Sequence, residues 1–255
     1  MLKRLADRKI RRQSLLITVL AFVAVYILWN VRSLDVIVYP LRLFVTYIHE
    51  ASHALAAIIT GGSVIGFTVS ANGSGLAITA GGSRAFILPA GYLGAALFGS
   101  MLFFLVNRIP RYVRGLAVFI GGFMVVFTIM FARPDETGSL TALVIGLGFG
   151  AVMVLMGWKA PRIVNQFLLN TLAVMTALNA VLDVWYLVGN DDASRGAIRN
   201  DASAFASEVT PLLPGSVIAF IWSIAAIIMF GVAVYFGMIK PLRQEINASV
   251  SGDVE

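Results

Sequence analysis

His49-Glu50-Ala51-Ser52-His53 is the segment of this 255-residue chain whose side chains can do chemistry together. Residues four apart on a helix share a face, so both imidazoles can reach one metal ion while Glu50 stands one position along, beside a water on that ion. Zinc is the metal that such a donor set predicts. It lowers the pKa of its water towards about 7, and the glutamate accepts the proton as the oxygen attacks a carbonyl carbon. His49 and His53 are the only histidines, and the chain has no cysteine. A catalytic zinc site commonly has three protein ligands, so a carboxylate must supply the third. Asp183, in Asn179-Ala-Val-Leu-Asp183, is the candidate because it falls inside an apolar run, whereas Asp191 and Asp192 sit in a polar segment. Asn179 lies four residues earlier on the same helical face, placed to orient a ligand or to donate to a developing oxyanion. The bland alternative makes His49 and His53 core residues and pairs Glu50 with a base such as Arg42.

These groups must be positioned by elements suited to lipid. Of all residues, 59% are hydrophobic and 13% charged, against about 45–50% and about 25% in soluble domains. Several apolar runs approach the roughly 20 residues that cross a bilayer. The first, Ser14 to Val31, follows a basic segment at 1–13 carrying Lys3, Arg4, Arg8, Lys9, Arg11 and Arg12, and reads as an uncleaved anchor with its N-terminus in the cytoplasm. No aromatic-interleaved basic surface accompanies it, so nucleic acid is not an expected partner. The second run, from near Pro40 to Thr60, holds the histidines. His49 is then roughly 14 Å along that helix, where ionisable groups are costly and usually functional.

Residues 61–84 differ in kind, with two strand-like stretches flanking Asn72-Gly73, and predict a β-hairpin. Four apolar runs follow at about 85–106, 115–131, 138–157 and 163–188, then a polar loop at 189–213, a last run at about 214–238 and a solvated tail at 239–255. In the polar loop, Asn200-Asp201 precedes a short stretch that reads as a capped helix, and its acidity reads as solvated surface. Gly146-Leu-Gly148-Phe-Gly150 imitates a nucleotide-binding fingerprint but lies inside an apolar run with no preceding strand, so helix packing is expected. Gly91 and Gly94 can serve either close approach to the site or helix packing. The expected architecture is a single all-α polytopic membrane domain over 1–255, with six to seven transmembrane helices and a small β-hairpin after the second. Seven full crossings would put Arg108, Arg111 and Arg114 outside, against the positive-inside tendency; one incomplete crossing returns them to the cytoplasm. Nothing in the pattern sets an oligomeric state.

The His-Glu-Ala-Ser-His segment, Gly61-Gly62-Ser63, Pro89-Ala-Gly-Tyr-Leu-Gly94 and Leu182-Asp183 together resemble the site-2 protease family of intramembrane zinc metallopeptidases, most closely its short bacterial branch. The similarity runs from about Leu43 to Trp222. It implies His49, His53 and Asp183 as zinc ligands, Glu50 as general base, a place in a bacterial cell membrane, and membrane-anchored protein substrates cut within or beside their transmembrane helix. Val184 departs from the family, which has glycine after this aspartate. Two other functions fit the residues: a membrane metallohydrolase acting on a lipid or small amide, and a non-enzymatic zinc-binding membrane protein. Glu50 argues against the latter, because a base beside the first histidine is what hydrolysis adds to binding. The hairpin fits proteolysis, since an edge strand can hold a substrate segment extended by β-augmentation.

Overall fold

Each apolar run becomes a helix, because a backbone without water must satisfy its hydrogen bonds internally. In the computed structural model these are α1 (Leu2–Asn30), α2 (Asp35–Ile59), α3 (Arg84–Arg108), α4 (Val113–Phe131), α5 (Thr141–Lys159), α6 (Arg162–Gly189), α7 (Asp201–Glu208) and α8 (Gly215–Val234). Between α2 and α3 lies the hairpin, β1 (Ser63–Val69) and β2 (Gly75–Ala80). The structure describes residues 2–189, 200–244 and 247, with side chains for 13–179, 181, 200–244 and 247. Asp191 and Asp192 lie outside the described residues.

Among the described residues, five helical segments are long and apolar enough to cross a membrane: 13–30, 84–108, 110–131, 141–159 and 215–244. The chain is an integral membrane protein. Both α2 and α6 carry polar groups. Along α2 stand Asp35, Arg42, His49, Glu50 and His53, whereas α6 buries Asn165, Gln166, Asn170, Thr171 and Thr176 among its neighbours. A helix wrapped by other helices need not be apolar all round.

Helix α2 begins at Asp35, not near Pro40, so the proline sits just past the first turn. Its missing N–H forfeits only one bond close to the helix start. Arg42 reaches back to Asp35 at 3.7 Å and is not Glu50's partner. Tyr47, fully buried, fastens α2 to α4 through Met124 O (3.1 Å) and Thr128 Oγ1 (2.8 Å). Between α4 and α5, a Cβ on Gly146 would collide with Thr128, and one on Gly150 would stand 2.8 Å from Gly121 O. The glycine-rich stretch therefore serves helix packing.

The hairpin is antiparallel, pairing Ser63 with Ala80 and Phe67 with Ala77, with an irregularity between Val64 and Gly66. Its loop is longer than a two-residue turn: Ser70 N–H donates to Ser74 O, and Asn72 Oδ1 accepts from Ser74 N–H. Gly73 takes the positive φ of 92° that this loop needs. Phe67 buries its ring against Tyr47 and Phe127, and its carbonyl accepts from Arg133 N–H at 2.9 Å. The hairpin is thereby packed on the bundle beside α2.

Candidate metal centre

His49 and His53 project from one face of α2, as their spacing of four requires. Their Nε2 atoms stand 3.2 Å apart. Asp201 Oδ2 completes a triangle, 2.9 Å from His49 Nε2 and 3.1 Å from His53 Nε2. Side-chain exposures of 13%, 7% and 24% for His49, His53 and Asp201 place the group inside the protein with one partly open side.

Among the described side chains, the carboxylate brought to the histidines is that of Asp201. Asp183 belongs to α6, but its side chain lies outside the described residues. Asn179 is half-buried on α6. Reading the acidity of the 189–213 segment as solvated surface fails at Asp201. Its short helix is capped as expected: the Asn200 side chain accepts from Ser203 N–H, and Ser203 Oγ accepts from Asn200 N–H. The missed signal was the apolar face of that helix. Ala202, Phe205 and Ala206 pack with Ile218, Ala219 and Trp222 of α8 and with Tyr92 and Leu93 of α3, which carries Asp201 to the imidazoles.

This geometry suits a metal ion. With ligand bonds near 2.0–2.1 Å, tetrahedral donors sit about 3.3 Å apart, close to the spacing seen. His53 Nδ1–H donates to Ile87 O over 2.6 Å, the second-nitrogen contact that turns Nε2 towards a metal. Burial works to raise the Asp201 carboxyl, but the hydrogen bonds and charges of His49 and His53 outweigh it and hold the group below the usual carboxylate range.

Glu50 is buried on the adjoining side of α2, 6% exposed. Backbone N–H of Ala77 donates towards its carboxylate, so the outer edge of β2 faces this group. A Cβ on Gly75 would stand 2.5 Å from Glu50 Oε1, so only glycine lets β2 approach this closely. Gly91 performs the same service for α3, where a Cβ would fall on Nε2 of both histidines. Gly94 packs on Ser52. Tyr92 sets its ring edge-on to His49 at 4.8 Å and touches Trp222 at 5.8 Å.

Gly91→Ala is therefore expected to weaken zinc binding by about 10- to 100-fold. Overpacking typically costs about 1–3 kcal/mol, and here it falls on the donor atoms themselves. Gly148→Ala, where an added Cβ meets nothing within 4 Å, is the control. Equal affinity of the two variants in a chelator competition would show that α3 does not confine the imidazoles.

A membrane-embedded helical bundle with a buried His-His-Asp cluster and a glutamate beside it has a site of metallohydrolase type. A family model described as Peptidase M50B-like matches residues 17–233, and the chain belongs to this family of membrane metallopeptidases. No curated protein and no solved structure matches it significantly.

Proposed function

We propose that the protein is a zinc-dependent intramembrane endopeptidase in which His49, His53 and Asp201 hold the metal and Glu50 is the general base. The observation that carries this reading is the triangle of three donors, 2.9–3.2 Å on a side, with a buried carboxylate one residue from its first member. A zinc ion held there would supply Lewis acidity and an acidified water. Glu50 takes the proton from the attacking water and delivers it to the leaving amine, with Ala77 N–H orienting its carboxylate. Asn179 belongs to the same proposal as a donor to the developing oxyanion.

Substrates are membrane-anchored proteins. A transmembrane helix hides its carbonyls in its own hydrogen bonds, so the scissile segment must be extended, and the outer edge of β2 lies beside Glu50 to pair with it. The same edge favours a peptide over a lipid or small amide, neither of which needs a strand. The site acts in a bacterial cell membrane, with the basic N-terminus on the cytoplasmic face.

Protein purified in detergent without chelators is expected to carry about one zinc per chain and to cleave members of a panel of single-span membrane proteins. Cleavage should stop on chelation and return with zinc. His53→Ala should carry no zinc. Absence of stoichiometric metal under zinc-replete conditions sinks the site; metal without cleavage of any panel member removes the peptidase reading.

A further inference from the structure

Asp201 does not belong to the main core. It opens α7, whose apolar residues form a separate small cluster with α8 and the start of α3. That cluster is small, made of alanines, aromatic rings, Ile218 and Leu93, and its apolar contacts attract without fixing an axial position. A directional contact closes the other end of α7. Arg84 Nε and Nη2 donate to Glu208 Oε2 and Oε1 at 2.7 and 3.0 Å, a two-pronged pair that fixes geometry as well as distance.

Two features set this pair apart from an ordinary surface contact. Arg84 is the first residue of α3 and Glu208 the last of α7, so each charge sits at the wrong end of its own helix dipole. Neither residue stabilises the helix that carries it; the cross-helix pair is what their positions serve. The spacing also matches. Arg84 precedes Gly91, which lies against the imidazoles, by seven residues, and Glu208 follows Asp201 by seven. Seven residues are two helical turns, about 10.5 Å. The ion pair and the donor triangle are therefore two ends of one antiparallel seam between α3 and α7.

We infer that Arg84 and Glu208 are positioning residues that set the register of α7 on α3 and thereby deliver the Asp201 carboxylate to His49 and His53. This rests on Asp201 being a ligand. Loss of the pair leaves α7 on its apolar face but free to slide or lift, and the third donor goes with it. Zinc affinity then depends on a contact two turns from the metal.

The full-length protein in detergent, stripped of metal, provides the test through zinc affinity measured by chelator competition and through hydrogen exchange of the 201–208 amides. Glu208→Gln and Arg84→Gln are each expected to weaken zinc about 2- to 5-fold, the scale set by a partly exposed ion pair, and to speed exchange across α7. The reversed pair, Arg84→Glu with Glu208→Arg, should return both readouts close to wild type, and it places each charge at the favourable end of its helix. Wild-type affinity in both single variants, or a reversed pair as weak as the singles, overturns the inference. Asp201→Ala run alongside separates the two levels. If it loses zinc while the singles keep it, only the clamp falls; if it keeps zinc, the ligand assignment falls and the clamp with it.

Discussion

Asp201→Ala is expected to strip the protein of zinc, whereas Asp183→Ala leaves about one zinc per chain. Structural zinc sites are worth about 10–16 kcal/mol over four ligands, so one ligand accounts for about 3 kcal/mol or more, ~100-fold or more in affinity. The assignment to Asp201 stands on its oxygen lying 2.9 and 3.1 Å from the two Nε2 atoms. Asp201 also stands in the first turn of α7, where a carboxylate is worth about 0.3–1 kcal/mol to the helix. That smaller effect is too weak to account for loss of the metal. Asp201→Asn, which keeps the shape of the side chain, separates ligation from folding: it should retain the melting behaviour of the metal-free protein and still bind zinc poorly. The opposite pattern, with zinc lost from Asp183→Ala and kept by Asp201→Ala, would restore the ligand implied by the family resemblance and refute the one read from the geometry.

Glu50→Gln is expected to keep zinc at wild-type affinity and lower turnover by about 10²- to 10⁴-fold, the usual contribution of a positioned general base. The amide can still accept the N–H of Ala77 and fits the same buried space under Gly75, so the site keeps its form and loses only its proton acceptor. Gly75→Ala is the useful companion, because it pushes on the Glu50 carboxylate without changing its chemistry. Turnover retained in Glu50→Gln, in material free of wild-type enzyme, would mean that another group takes the proton.

Local chemistry was legible where local geometry decides it. His49 and His53 share a helix face because 3.6 residues make a turn, and Glu50 follows from adjacency; no tertiary information enters. The hairpin was legible from Asn72-Gly73 and its strand-like flanks, and the capped helix from Asn200. The reading failed where an element's surroundings matter. Pro40 marked an apolar boundary while the helix began five residues earlier, since an exposed first turn tolerates charge and a nearby proline alike. Asp201 is not legible in this way because a carboxylate in a polar segment reads as solvated, and only the packing of α7 on α3 and α8 takes it out of water.

By itself, then, the sequence determined a membrane-embedded helical chain and a two-histidine, one-glutamate motif on a single helix, because hydrophobic length and helical period are properties of consecutive residues. Only the tertiary structure decided which carboxylate joins that motif, which glycines let α3 and β2 lie against it, and which helices are wrapped by others. The first of these depends on the packing of α7 against α3 and α8, which brings Asp201 to histidines 152 and 148 positions away, and no periodicity in the chain encodes a contact of that range.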